Sequence, residues 1–122
     1  MRILTEAECR KAMTDGRFDP PEPAGSAALI LTQSWCPQWK AMKSYLPEAE
    51  KALPGLKIFY IEYDLASIFE EFMNFKENTY ENREIPYVRY YKDGKCTSWS
   101  NYVSLEGFLH RLNADEPVPK HC

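Results

Sequence analysis

The sequence predicts an α/β domain with a mixed four- to five-stranded sheet that is covered by helices on both faces. Residues 26–33 are apolar and uninterrupted in their middle, which is typical of a strand buried on both faces. A helical pattern and a second strand follow, and such a β-α-β unit has parallel strands. Asp93-Gly94, between two strand-like segments, is a strong two-residue hairpin signal. The hairpin adds an antiparallel pair, so the sheet is mixed.

The first helix is predicted from Thr5 to Asp15. Thr5 and Glu8 have the spacing of a capping box, and Gly16 is the residue type that ends helices. A proline-rich connector over residues 20–25 then leads into the central strand. The second helix begins at Pro37, because proline at the first helical position loses no hydrogen bond.

A second strand, over residues 56–63, is rich in aromatic and β-branched residues. Asp64 is the predicted cap of a third helix, which gives way to a polar loop over residues 74–84. The hairpin strands cover residues 87–91 and 95–100, and a last helix covers residues 104–112. We therefore predict one domain, residues 1–113, followed by a flexible C-terminal tail, residues 114–122.

Composition narrows the classes of function. A chain of 122 residues with 44% hydrophobic and 27% charged residues has globular composition. Its net charge of -3 argues against nucleic acid as a partner. The longest uninterrupted apolar run, Ala27 to Leu31, is far shorter than the roughly 20 residues that cross a bilayer. No membrane association is expected.

The four cysteines are scattered, at positions 9, 36, 96 and 122. No pair has the C-x-x-C spacing of a zinc site, so we predict neither a metal nor another cofactor. Charges at Arg2 and Glu6 leave no room for a secretory signal at the N-terminus. The expected location is the cytoplasm, with all four cysteines as free thiols.

Cys36 is the candidate catalytic residue. It follows the central strand and precedes Pro37, so its sulfur is expected at the first turn of a helix. The helix dipole and the free backbone N–H groups there favour a thiolate, which is the nucleophilic form of cysteine. Ligands of open sheets also bind at the carboxyl ends of the strands, where Cys36 lies. A structural, buried cysteine is the alternative interpretation.

Two segments carry a resemblance to a known family. The segment Trp35-Cys36-Pro37-Gln38-Trp39-Lys40 resembles the thioredoxin active-site motif W-C-x-x-C-K, and residues 85–95 are similar to the family's I-P-T strand and hairpin. The resemblance covers residues 5–113. It implies a thioredoxin-like fold, in which Cys36 matches the nucleophile and Pro86 matches the cis-proline beside it. The implied substrate surface comprises Trp35, Pro37, Trp39, Ile85, Pro86 and Tyr87.

Three departures from the family pattern limit the implied activity. Trp39 occupies the position of the resolving cysteine, so Cys36 cannot close a disulfide with a partner three residues on. Ile30 replaces the buried carboxylate that moves protons in the family. Tyr87 is bulkier than the family's threonine. Among the other cysteines, Cys122 is a candidate to resolve Cys36, because a ten-residue tail can extend about 33 Å.

The resulting hypothesis is a one-cysteine thiol–disulfide oxidoreductase. Cys36 would form a mixed disulfide with a thiol or disulfide protein substrate, and an external thiol such as glutathione would resolve it. The alternative is a non-catalytic module that binds a peptide or protein on an aromatic surface of Trp35, Trp39, Pro86 and Tyr87. An iron–sulfur carrier of the monothiol glutaredoxin type fits poorly, since Trp39 would crowd a cluster.

Overall fold

The computed structural model describes all residues, 1–122, and contains five strands and four α-helices. The elements in chain order are β1 (Arg2–Ile3), α1 (Glu6–Asp15), β2 (Ser26–Thr32), α2 (Pro37–Ala52), β3 (Lys57–Glu62), a 3-10 turn (Tyr63–Leu65), α3 (Phe69–Thr79), β4 (Tyr87–Lys92), β5 (Lys95–Ser100) and α4 (Leu105–Asn113). No helix has the length and apolarity that a membrane crossing requires.

The strands form one mixed sheet in the order β1-β3-β2-β4-β5. β3 is parallel to β2, as a β-α-β unit requires, and β4 is antiparallel to β2. The predicted mixed sheet with helices on both faces is confirmed. β1 was not predicted, because a two-residue strand is too short to show any periodicity; Arg2 and Ile3 pair in parallel with the outer edge of β3.

The central strand β2 divides the core into two halves. Leu29 and Leu31 face the half formed with α1 and α3, while Ala28 and Ile30 face the half formed with α2 and α4. All four are fully buried, because successive strand residues point to opposite faces and both faces are covered. This double burial explains the uninterrupted apolar run in the sequence.

The local signals of the first helix and of the hairpin are confirmed. Thr5 accepts a hydrogen bond from the Glu8 backbone N–H at 3.1 Å, and the Glu8 carboxylate accepts one from the Thr5 N–H at 2.8 Å. Gly16 ends α1 with a φ of 73°. Asp93 and Gly94 both have positive φ, 49° and 84°, as a type I′ turn requires.

The third helix differs from the prediction at both ends. Asp64 lies in the 3-10 turn and caps no helix; its carboxylate instead accepts hydrogen bonds from Ser34, and α3 begins only at Phe69. Leu65, the last residue of the 3-10 turn, is 72% exposed. The helix also continues to Thr79, through half of the segment predicted as a loop. Burial of Phe72 and Lys76 holds this polar stretch in the helix.

The expectation of four free thiols is wrong. Cys96 and Cys122 form a disulfide with Cα atoms 5.3 Å apart, and only Cys9 and Cys36 are free. The end of the tail, predicted as flexible, folds back along β5 and is held there by this bond. The two cysteines are 26 residues apart, and only the return of the chain after α4 brings them together. Cys122 is therefore occupied and is no partner for Cys36 in this state.

Candidate functional site

Cys36 lies at the end of the short connection between β2 and α2. It is the N-cap residue of α2, with extended backbone angles, and Pro37 follows at the first helical position. Its thiol makes no capping hydrogen bond, so the sulfur stays available beside the helix N-terminus. The residue is only 4% exposed. The structure therefore places a free thiol, almost covered by protein, where the helix dipole favours a negative charge.

The loop before β4 lies directly against this thiol. The Ile85–Pro86 peptide bond is cis, and the Cys36 Sγ–H donates to the Ile85 carbonyl at 3.7 Å. Ile85 is partly buried and Pro86 is buried. Cys36, Ile85 and Pro86, singled out from the sequence, are thus brought together across 49 residues of chain.

Two asparagines that sequence reasoning missed brace the loop before β4. Asn101 donates to the Pro86 carbonyl at 3.1 Å, and Asn82 and Asn101 exchange two amide hydrogen bonds of 3.0 Å each. Asn82 also accepts from the Glu84 N–H at 3.0 Å. An amide side chain with several satisfied bonds fixes backbone position. Asn82 lies in a polar run, and nothing in the sequence distinguishes it from a loop residue.

Lys76 braces the same loop from α3. The residue is fully buried, and its ammonium donates to the Glu84 carbonyl. No carboxylate lies within 4 Å of it in an ion pair, and the Tyr87 ring lies 5.7 Å away. Burial lowers the pKa of Lys76 from 10.5 to about 8, against the opposing attraction of Glu77 and Glu84. This side chain therefore loses its proton within an accessible range of pH.

The free energy of unfolding is expected to rise by about 1 kcal/mol between pH 7 and pH 8.5 because of Lys76. Over this window the folded state releases the Lys76 proton, near pH 8, while the unfolded chain keeps it until about pH 10.5. The unfolded state then binds more protons, so stability increases with pH. Above this window Cys9 opposes the trend, since burial raises the pKa of its thiol to about 12.

Urea unfolding of the wild type and of Lys76→Met across this window measures the effect. The difference between the two proteins isolates Lys76, because the other titrating groups are common to both. Two stability curves that run parallel with pH would contradict the assignment.

Hydrogen bonds also fix the segment that precedes Cys36. The Ser34 N–H and hydroxyl donate to the Asp64 carboxylate at 2.7 and 2.6 Å, which ties the end of β2 to the turn after β3. The indole N–H of Trp35 donates to Gln33 at 2.7 Å. Together with the brace of the loop before β4, these bonds fix both chain segments that meet at the thiol.

Only some residues of the predicted substrate surface are exposed. Trp35 is 61% exposed, and Pro37 is exposed beside it. Trp39 and Tyr87, however, are fully buried, so neither offers a face to a partner. Trp39 points into the core because it lies on the inner face of α2, one turn after Cys36. Its ring packs 5.5 Å from Tyr60, and its indole N–H donates to Glu62 at 2.8 Å.

Neither Ile30 nor Cys9 supplies the chemistry that the departures from the family pattern remove. Ile30 is fully buried in the half of the core that contains Cys36, where it supplies no proton-moving group. Cys9, the second free thiol, belongs to the other half of the core and is also fully buried. No set of three or more His, Cys, Asp or Glu side chains is arranged to hold a metal ion.

Comparison with known proteins identifies the fold. Neither a family model nor a curated protein matches the sequence. Among solved structures, thioredoxin O1 from Arabidopsis thaliana is 15% identical with a TM-score of 0.63, covering 92% of this chain and 96% of that chain. Thioredoxin O2 from the same plant is 16% identical with a TM-score of 0.61, covering 87% and 85%. Trxlp from Edwardsiella tarda EIB202 is 15% identical with a TM-score of 0.60, covering 93% and 98%. The chain has a thioredoxin-like fold.

Proposed function

We propose that the protein is a one-cysteine thiol–disulfide oxidoreductase with Cys36 as its nucleophile. The observation that carries the proposal is the position of Cys36, at the N-terminus of α2 and 3.7 Å from the Ile85 carbonyl of the cis-proline loop. The free backbone N–H groups of the helix end lie beside the sulfur, and the braced loop is a backbone edge for a substrate chain. The thioredoxin structures of similar fold support a thiol or disulfide protein as the substrate class.

The reaction needs two external steps. The Cys36 thiolate attacks one sulfur of a substrate disulfide, a Cys36–substrate disulfide forms, and the other substrate sulfur leaves as a thiolate that takes up a proton. Because Trp39 occupies the resolving position, an external thiol attacks the mixed disulfide next. Two molecules of a monothiol such as glutathione complete the cycle: the first frees Cys36, and the second frees the remaining substrate thiol while glutathione disulfide forms.

The test is the trapping of the mixed disulfide. The reagent is a peptide whose cysteine carries glutathione in a mixed disulfide. Incubation with it should give a covalent adduct that mass spectrometry maps to Cys36. Excess glutathione should remove the adduct. Cys36→Ser should abolish adduct and turnover. Cys9→Ala is the matched control, because Cys9 is the other free thiol and is fully buried. Turnover that persists in Cys36→Ser would end the proposal.

A second candidate is a module that binds a protein without chemistry. The 61% exposure of Trp35, next to a thiol that is only 4% exposed, favours this alternative. Exposed tryptophans are frequent anchors of protein interfaces. The two candidates separate cleanly: a binding module loses its partner on Trp35→Ala and keeps it on Cys36→Ala, whereas the oxidoreductase loses its adduct on Cys36→Ala.

A cytoplasmic location stays a prediction from the sequence. Cytosolic thiols are kept reduced. A protein that keeps the disulfide between Cys96 and Cys122 in the cell would therefore be expected in an oxidising compartment.

A further inference from the structure

The last five residues belong to no helix or strand, yet three of them, Lys120, His121 and Cys122, are tied to the rest of the domain. We call residues 118–122 the strap. The Trp99 indole N–H donates to the Lys120 carbonyl at 2.9 Å, and the Arg89 guanidinium donates to the His121 carbonyl at 2.8 Å. The His121 ring lies 2.8 Å from the Glu81 carboxylate. The disulfide to Cys96 is the only covalent attachment.

The strap contacts a buried cation. Arg89 is 3% exposed and is always charged, because guanidinium groups keep their proton in proteins. It donates to the hydroxyls of Tyr91 at 2.7 Å and Tyr87 at 3.0 Å, and it lies 4.1 Å over the ring of Tyr80. It forms no ion pair with any carboxylate. The His121 carbonyl is thus its one hydrogen-bond acceptor outside the tyrosines, and it is supplied by the strap.

The order of the strap depends on its disulfide. Without it, two hydrogen bonds to the backbone and one contact between the His121 ring and the largely exposed Glu81 remain. Such contacts do not offset the conformational entropy of fixing five residues at a chain end. The disulfide supplies the missing constraint by tying the terminus to β5. Both of its cysteines are partly exposed, so a dissolved thiol can reach them.

We propose that Cys96–Cys122 is a second thiol–disulfide exchange site, which takes a dithiol as its reductant and whose reduction lifts the strap from Arg89. The site is separate from Cys36: Cys96 pairs with Tyr91, four residues along β4 from the end that meets the thiol, or about 13 Å. The proposal goes beyond the function assigned to Cys36 and holds whether or not Cys36 turns over.

The exchange balances as a two-electron reduction. A thiolate of the dithiol attacks the Cys122 sulfur, the bond to Cys96 breaks, and Cys96 leaves as a thiolate that takes up a proton. The second thiol of the reagent then attacks the mixed disulfide, Cys122 leaves and is protonated, and the reagent becomes a cyclic disulfide. Two electrons and two protons pass to the protein.

The experiment uses the full chain, air-oxidised or reduced with dithiothreitol, and labels it with phenylglyoxal, which modifies accessible arginines. The rate at Arg89, mapped by mass spectrometry, should rise about tenfold or more on reduction, because a loosened chain end opens more often. Arg2, which is exposed and lies in β1 at the edge of the sheet opposite β5, is the internal reference and should not change. Cys122→Ser, without reductant, should label at Arg89 like the reduced wild type.

Each other outcome overturns the proposal. Equal labelling of Arg89 in both redox states would show that the strap stays in place without its disulfide. Four alkylatable thiols in the oxidised protein, counted after denaturation, would show that the disulfide does not form. Cys9 is fully buried and serves as a sensor of unfolding. If Cys9 became alkylated under native conditions as fast as Arg89 became modified, reduction would unfold the domain, and no separate strap would exist.

Discussion

Trp39→Cys is expected to lower the free energy of unfolding by about 3–5 kcal/mol, the usual cost of truncating a large buried aromatic side chain. The substitution restores the C-x-x-C spacing of a dithiol motif. It also removes a fully buried ring that packs on Tyr60 and leaves the Glu62 carboxylate without its indole donor. A total stability of about 5–15 kcal/mol leaves little margin for such a loss. A second thiol at position 39 would thus weaken the packing of the core around Cys36.

Urea unfolding followed by circular dichroism measures this effect. Trp39→Phe is the matched control: it keeps an aromatic ring in the core, loses the hydrogen bond to Glu62 and part of the buried ring, and should cost clearly less than the cysteine variant. If Trp39→Cys were as stable as the wild type, Trp39 would be replaceable, and the structural explanation for the absent second cysteine would be wrong.

Arg89→Met is expected to cost about 3 kcal/mol or more of stability. The arginine donates to two tyrosine hydroxyls and to the His121 carbonyl, and a thioether donates to none of them. Each buried acceptor left without a donor costs about 1–3 kcal/mol. The damage should spread, because the Tyr91 hydroxyl in turn holds the Phe18 carbonyl at 2.5 Å. The connector after α1 is tied to β4 through this chain of bonds.

Equilibrium unfolding at pH 7 gives the magnitude, and amide hydrogen exchange shows how far the effect spreads. Arg89→Lys keeps the charge but lacks the planar fork that reaches several acceptors at once, so its stability should fall between those of the other two proteins. A methionine variant within 1 kcal/mol of the wild type would mean that the tyrosines satisfy one another without the arginine.

The sheet was predictable because its signals are local. The apolar run of β2, the capping box of α1 and the Asp93-Gly94 turn each specify their element within a few residues. The ends of α3 were not predictable, since Asp64 has the residue type of a helix cap and is used by Ser34 instead. A cap and a tertiary contact compete for the same carboxylate, and only the packed chain decides between them.

The candidate site was predictable only in part. Cys36 and the Ile85–Pro86 loop stand in motifs of recognisable order, and they do meet. The burial of Trp39 and Tyr87 follows from which face of α2 and β4 turns inward, and their aromatic character alone does not reveal it. Asn82, Asn101 and the disulfide are contacts between distant segments. Their residue types are ordinary for loops and tails, so the sequence carries no local signal for them.

The contact between Cys36 and Ile85 also determines when the site around Cys36 can form during folding. The two residues are 49 positions apart, and they meet only after β4 has paired with β2. Pairing between distant segments is the slow part of folding, because a long loop must close before any contact rewards it. During synthesis the thiol therefore emerges well before the carbonyl that will face it. The nascent chain therefore carries a free cysteine that has no site around it. The site forms only when β4 completes the sheet.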